Sequence, residues 1–163
     1  METTTQEIGP KEEMIQKVRA AIQDRATWFA LLFEEFSREL PEEKVIELSR
    51  KAIHRFGLLK AQKDPEPFRA KDWVLRHKAK GSADIFDSDI EYDEAQAIQK
   101  MKFCALVEAW KALGLSKERI ELFCDIAMEG DRGRADGHEG IRMELQETIA
   151  KGCEFCKLII LQE

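Results

Sequence analysis

Long apolar runs are absent from the sequence. The longest are Trp28–Phe33 and Leu158–Leu161, whereas a transmembrane helix needs about 20 consecutive apolar residues. The first ten residues, METTTQEIGP, also lack the basic start and the apolar centre of a secretory signal. We therefore expect a cytoplasmic protein without a membrane partner.

Several common functional signatures are missing as well. Neither G-x-G-x-x-G nor G-x-x-x-x-G-K-[ST] occurs, so nothing indicates a nucleotide cofactor. The G-x-S-x-G elbow of serine hydrolases and the H-E-x-x-H helix of zinc hydrolases are also absent. The net charge is -6, and basic residues are interspersed among acids, which disfavours a nucleic-acid partner.

The composition is that of an ordinary globular protein. Of the 163 residues, 44% are hydrophobic and 36% are charged. A chain of this length buries roughly two-thirds of its unfolded surface when it folds. We expect a single domain over residues 1–163, with a flexible start over residues 1–10.

The N-terminal part has the apolar spacing of helices. Apolar residues recur at helical intervals and predict a long helix over residues 11–39. Pro41 and the two acids after it suit the first turn of a second helix, which continues to about Leu59. The two helices should pack as an antiparallel pair in a helical subdomain over residues 11–64. One apolar stripe on the first helix belongs to the core or forms the contact of a homodimer: Met14, Phe29, Phe33 and Phe36.

The segment Asp64–Pro67 is the clearest break in the chain, because its two prolines favour extended backbone. We place a junction there, so that residues 68–163 form a second portion that contains all the cysteines. Helices are predicted in this portion over residues 68–79, 104–113 and 117–128. Strands are predicted over residues 93–103, where a helix remains an alternative, and over residues 141–145 and 153–161.

Residues 129–140 contain four glycines among mostly charged residues, and this composition predicts a loop. The predicted elements together give an α+β fold, in which an N-terminal helical pair packs with a small antiparallel sheet and further helices.

Four cysteines are the first candidate site residues: Cys104, Cys124, Cys153 and Cys156. The C-x-x-C spacing at Cys153 is that of a metal knuckle or a redox pair, and all four thiols together would suit a zinc site. Free cysteines are nevertheless among the most buried residue types, so buried thiols are the more frequent outcome. The cofactor therefore stays unknown, with a metal as one option.

Two acids and three basic residues complete the candidate site. Asp125 would act as a general base if burial raised its pKa towards neutrality, and Glu108 is a second acid near the thiols. Both are equally compatible with a solvated helix surface. On the glycine-rich segment, the side chains that would bind a substrate carboxylate from a mobile lid are Arg132, Arg134 and His138.

Four short segments resemble a known family. They are Lys102-Phe-Cys104, Ala109 to Gly114, Leu122-Phe-Cys124-Asp125 and Gly152-Cys-Glu-Phe-Cys156. Over about residues 95–161 the chain resembles the L-2-amino-thiazoline-4-carboxylic acid hydrolase-like family. Its ending, with glycine, cysteine and an aromatic residue before an apolar strand, is also similar to 4-vinyl-reductase-like domains.

The resemblance implies a hydrolase that opens a small cysteine-derived ring, 2-amino-thiazoline-4-carboxylate, to N-carbamoyl-cysteine. Such chemistry needs an activated water, a proton donor for the departing sulfur and a cation for the substrate carboxylate. Asp125 or Glu108 would activate the water, and an arginine of the glycine-rich segment would hold the carboxylate. The resemblance carries over three thiols: Cys104, Cys124 and Cys156. The alternatives are a sensor that binds a small molecule without catalysis, and a structural or redox cysteine protein that binds metal.

Overall fold

The computed structural model describes residues 9–163 and has the predicted α+β architecture. Its helices are α1 Pro10–Glu39, α2 Glu42–Ala61, α3 Ala70–Ala79, α4 Ser82–Ile85, α5 Ala105–Ala112, α6 Lys117–Ala127 and α7 Glu129–Asp136. Its strands are β1 Ser88–Tyr92, β2 Gln96–Met101, β3 Ile141–Leu145 and β4 Cys156–Gln162, and a 3-10 turn spans Ile149–Lys151. The predicted flexible start lies outside the described residues, apart from Gly9 and Pro10.

The four strands form one antiparallel sheet in the order β1-β2-β4-β3. Side chains alternate between the two faces of a strand, and on β2 both Ala97 and Gln99 are buried on the inner face. The strand predicted over residues 93–103 is therefore confirmed in its central part. The last strand begins at Cys156 rather than at Cys153, because Gly152 adopts a left-handed conformation with φ of +89° and the chain turns before pairing starts.

Helices α1 and α2 are joined by the predicted short turn, but each packs mainly on an element from the C-terminal part. The main partner of α1 is α5, and the main partner of α2 is α7. The indole N–H of Trp110 on α5 donates to the carbonyl oxygen of Ala26 on α1 over 3.0 Å. The rings of Phe33 and Phe123 meet edge to face with centroids 4.9 Å apart, so α1, α5 and α6 share one apolar core.

A second apolar core lies between α3 and the inner face of the sheet. Trp73 and Val74 of α3 are fully buried against Leu158 and Ile160 of β4. Helix α3 therefore covers the inner face of the sheet. The predicted helix cap at Ser116 is also present, since its hydroxyl accepts the N–H of Arg119 over 3.2 Å at the start of α6.

The segment predicted as a mobile loop, residues 129–140, contains helix α7. Its glycines bring the backbones of α7 and α2 into contact. A Cβ atom on Gly133 would lie 2.1 Å from the carbonyl oxygen of His54, and one on Gly57 would lie 2.2 Å from that of Gly130. The predictions of a loop and of a mobile lid are therefore wrong, because these glycines serve close helix packing rather than flexibility.

Within residues 9–163, no helix combines the length and the apolarity that a bilayer crossing demands.

Candidate functional site

Three of the four thiols come together from distant parts of the chain. Cys104 immediately precedes α5, Cys124 lies on α6, and Cys156 begins β4. Cys104 and Cys124 pack against the first apolar core together with Ile149. The N–H of Ile149 donates to the Cys156 sulfur over 3.2 Å. The 3-10 turn therefore connects the start of β4 with the α5 and α6 thiols.

The thiols of this group, Cys104, Cys124 and Cys156, are protonated at neutral pH. Burial, followed by the neighbouring Cys104 and Cys156 thiols, raises the pKa of Cys124 to about 12. Burial also raises the pKa of Cys156 to about 11. Each thiol is therefore an S–H donor in the resting protein.

Cys104, like Cys156, accepts hydrogen bonds from backbone N–H groups that lower its pKa. Burial raises the pKa of its thiol, but the backbone N–H groups of Val107 and Leu106 at the start of α5 oppose this rise. A helix N-terminus stabilises a thiolate in this way. The net effect is still a raised pKa, so Cys104 is protonated in the resting protein like the other two thiols.

The described residues contain no group of three or more histidine, cysteine or acidic side chains arranged to hold a metal ion. All four cysteines are free thiols. Cys153 lies in the turn before β4, where Gly152 separates it from the 3-10 turn. A four-thiolate zinc site is thus not formed by this arrangement.

The carboxylate of Asp125 lies in a network of ion pairs. Its two carboxylate oxygens accept hydrogen bonds of 2.6 Å from Arg50 and from Arg132. The same two guanidinium groups also donate to Glu129, at 3.1 Å and 2.7 Å. Burial alone would raise the pKa of Asp125, but the bonds from Arg132 and Arg50 outweigh it and the pKa lies below its usual value. The condition under which Asp125 would act as a general base is therefore not met.

Glu108 lies on the surface of α5, where it pairs with Lys111 at 3.3 Å. Its charge is still close enough to Cys104 to contribute to the raised pKa of that thiol. The structure thus places this acid beside the thiols but exposed to solvent.

Arg134 and His138 lie on the opposite side of α7 from Arg132, in a buried polar cluster around Asp64. Arg134 donates two hydrogen bonds of 2.7 Å to the two oxygens of Asp64, and His138 Nε2 lies 3.0 Å from one of them. The Arg134 guanidinium also lies over the ring of Trp73, 4.3 Å from its centroid. The three basic residues expected to bind one substrate carboxylate are thus paired with acids of the protein, Arg132 with Asp125 and Glu129, and Arg134 and His138 with Asp64.

The buried cluster continues into the sheet through residues that the sequence reasoning missed. Arg134 Nη1 lies 3.2 Å from His77 Nε2, and His77 Nδ1 lies 2.8 Å from the amide oxygen of Gln99. The Gln99 amide then donates to the Ser88 hydroxyl over 2.9 Å. A signal for this cluster existed in the sequence, because Gln99 is a polar residue at an inward-facing position of an alternating strand.

Two shallow clefts on the surface of residues 9–163 contain no thiol among their lining residues. One, of about 230 Å³, lies between the end of α1 and α6 and contains Ser37 and Arg119. The other, of about 470 Å³, lies beside β1 and β2 and contains Lys100, Lys102 and Phe155. Of the three thiols, Cys156 is buried, whereas Cys104 and Cys124 are half-buried.

A model of the L-2-amino-thiazoline-4-carboxylic acid hydrolase family matches residues 19–160. The chain belongs to this family. The match begins within α1, so the family relationship extends well beyond the C-terminal residues 95–161 on which the resemblance was first based. All three thiols of the group lie within the matched part, and so do both ion-pair clusters.

The other comparisons show a similarity of fold only. A search of curated proteins finds no match. Among solved structures, one similar chain is trafficking protein particle complex subunit 3 from Naegleria fowleri, a structure covalently bound to palmitic acid. The TM-score is 0.55 at 11% sequence identity, over 86% of this chain and 94% of that chain. At this identity the similarity shows a shared fold and not a shared activity.

Proposed function

We propose that this protein is a hydrolase that opens a small cysteine-derived heterocycle of the 2-amino-thiazoline-4-carboxylate class to an N-carbamoyl product. The observation that carries the proposal is the convergence of Cys104, Cys124 and Cys156 from three separate elements, in a chain that matches the hydrolase family over residues 19–160. Packing alone does not require three buried thiols near one another, whereas reaction at a ring carbon bonded to sulfur and nitrogen uses such groups.

The reaction begins with Cys104. Its sulfur attacks the ring carbon between sulfur and nitrogen, and its proton passes to the ring nitrogen. The bond from that carbon to the ring sulfur then breaks, and the departing sulfur takes a proton from the Cys124 thiol. The raised pKa of Cys124, about 12, means that this thiol carries the proton that it donates.

Water completes the reaction. Its oxygen bonds to the carbon held on Cys104 and becomes the carbamoyl oxygen. One of its protons returns to the Cys104 sulfur as that bond breaks, and the other restores the Cys124 thiol. The net change is the addition of one water to the ring, and both thiols are regenerated.

The substrate carboxylate needs a cation that is not already paired. Arg132 and Arg134 are held by Asp125 and Asp64. Lys151, at the end of the 3-10 turn, is exposed, lies close enough to lower the pKa of Cys124, and has no ion-pair partner within residues 9–163. We therefore assign the carboxylate to Lys151, and access to the thiols requires the 3-10 turn to move.

The test compares hydrolysis rates of L-2-amino-thiazoline-4-carboxylate by single variants. Cys104→Ser and Cys124→Ser should each lower kcat by about a hundredfold or more, because each removes a group that exchanges protons or bonds with the substrate. Lys151→Ala should raise KM more than it lowers kcat. Cys153→Ser is the matched control and should keep the wild-type rate, provided that thermal unfolding shows all variants to be folded. Equal rates for Cys104→Ser and the wild type would refute the assignment.

A second candidate function is a non-catalytic sensor that binds the same class of ligand. It is favoured by the raised pKa values of Cys124 and Cys156, which keep both thiols protonated and poorly nucleophilic at neutral pH. The two functions differ in one readout. A sensor would be stabilised against heat by the ligand and would release no N-carbamoyl product over many hours.

A further inference from the structure

Exposed large apolar side chains are concentrated on the two N-terminal helices. Within residues 9–163, only Leu75, Tyr92 and Leu113 of this class lie elsewhere. The others lie on α1, on α2 or in the turn between them: Met14, Trp28, Leu31, Leu32, Phe36, Leu40, Leu48, Phe56 and Leu59. Exposed apolar side chains that are concentrated on a few elements point to a contact site more than singly scattered ones do.

On α1 the exposed side chains form a narrow stripe. Trp28, Leu32 and Phe36 follow one another at intervals of four residues, so they lie on one face of the helix. Trp28 is 74% exposed, and the other two are about half exposed. Phe33 is buried in the core on a different face, so the stripe expected from the sequence divides into a core side and a solvent side.

Charged residues lie at both ends of this stripe. Arg25 precedes Trp28 by one turn, and Glu39 follows Phe36 by one turn. Both are exposed, and neither has an ion-pair partner in the part of the chain that the structure describes. They stand at equal distances from Leu32, seven residues before it and seven after it. The stripe is therefore complementary in charge to a reversed copy of itself.

We propose that a second copy of this chain docks on α1 through an antiparallel two-fold contact centred on Leu32. In this arrangement Trp28 of each copy packs against Phe36 of the other, and Leu32 meets its own equivalent on the axis. Arg25 of each copy pairs with Glu39 of the other, at both ends. A two-fold contact uses the same surface on both subunits, which requires such self-complementarity.

The choice of a second copy over an unrelated partner rests on these two charges. Each chain has a net charge of -6, so two copies repel one another at long range unless the contact itself is complementary in charge. The stripe itself carries one unpaired positive and one unpaired negative residue, so an antiparallel copy neutralises both. An unrelated partner has no reason to match their equal spacing about Leu32.

The first experiment measures the molar mass of the full chain by light scattering and sedimentation over a range of concentrations. We expect a dimer that Leu32→Asp converts to a monomer, with an unchanged far-ultraviolet circular dichroism spectrum because Leu32 lies outside the core. A wild-type chain that stays monomeric at all concentrations would overturn the proposal and leave the stripe to a different protein.

The second experiment tests the register with charge reversals. Arg25→Glu alone and Glu39→Arg alone each place two like-charged pairs in the contact and should weaken the dimer by about tenfold. An equimolar mixture of the two variants should recover wild-type affinity as a heterodimer, because opposite charges then meet at both ends. A dimer that is insensitive to both reversals, or a mixture without recovery, would contradict the proposed contact.

Discussion

Asp64 and Arg134 form a doubly hydrogen-bonded ion pair that joins the end of α2 to α7. The pair has two bonds of 2.7 Å, and the side chains are only 3% and 7% exposed. Arg76 Nε and His138 Nε2 also lie 3.0 Å from the Asp64 carboxylate. A single buried acid thus lies against three basic side chains, Arg76, Arg134 and His138.

Asp64→Asn removes that compensation while keeping the shape of the side chain. We expect it to lower the free energy of unfolding by about 3–5 kcal/mol, since it leaves the Arg134 charge buried and unpaired. Urea denaturation measures this change. The matched control is Asp136→Asn, which breaks an exposed pair with His54 and should cost less than about 1 kcal/mol. Equal costs for the two variants would contradict a buried role for Asp64.

The stability of the protein should decline in mild acid because of His77. Burial lowers the pKa of His77 from its ordinary value of 6.5, so the folded protein holds this ring neutral while the unfolded chain protonates it. The stabilisation is fully present above that value and is lost as the pH falls through the lowered folded pKa. Urea denaturation between about pH 7 and pH 5 should show this loss. His77→Gln should reduce the slope, and an unchanged slope would assign it to other groups.

Asp64 contributes a separate loss at lower pH. Burial alone would raise its pKa, but hydrogen bonds from Arg134 and His138 bring it below the ordinary value of 3.8. Its stabilisation is therefore present above that value and disappears as the pH falls through the folded pKa.

Because α2 and α7 are in close contact, we expect alanine substitutions at Gly133 and Gly130 of α7 to change the free energy of unfolding in opposite directions. Gly133→Ala would place a methyl group 2.1 Å from the His54 carbonyl oxygen, where two backbones would have to separate. We expect a loss of more than about 3 kcal/mol in unfolding free energy. Gly130→Ala would meet the Ile53 side chain at an ordinary 3.6 Å and should add up to about 1 kcal/mol through helix propensity. Equal effects in urea denaturation would show that the backbones are not in contact.

Much of the fold follows from patterns that the sequence shows directly. The long α1, the Ser116 cap of α6 and the strand at residues 141–145 all depend on local periodicity or capping, and each is present. Helix α7 was missed because glycine is a poor helix former in isolation. Its glycines at 130, 133 and 137 have helical spacing and face residues of the same spacing on α2. Only the tertiary contact reveals their purpose.

The sequence also predicted part of the candidate site, namely the thiols, but not the ion pairs of the arginines. Cys104, Cys124 and Cys156 were selected on family resemblance, and the fold brings them near one another. The ion-pair partner of Arg134 was not predictable, because Asp64 is distant in sequence. Arg132 pairs with Asp125 and Glu129, which are close in sequence, but Arg50, the second cation on these two acids, comes from the distant helix α2. The pairing decides the roles available to both arginines.

The raised pKa values predict slow thiol chemistry in the resting protein. With a pKa of about 12, Cys124 has only about one part in ten thousand as thiolate at pH 8. Cys156, at about 11, is similarly protonated. We expect an aromatic disulfide reagent to react far more slowly with Cys104, Cys124 and Cys156 in the folded protein than in urea. Rapid modification of these three thiols in the native state, located by peptide mass spectrometry, would contradict their burial.

The most direct test of the proposed activity follows the oxygen atom. The wild-type protein is incubated with L-2-amino-thiazoline-4-carboxylate in heavy-oxygen water, with and without added zinc, and the products are analysed by mass spectrometry. We expect N-carbamoyl-cysteine with one heavy oxygen in its carbamoyl group, and no such product from Cys104→Ser. Unchanged substrate under all conditions, from protein shown to be folded, would contradict the assignment of this protein as a hydrolase of that ring.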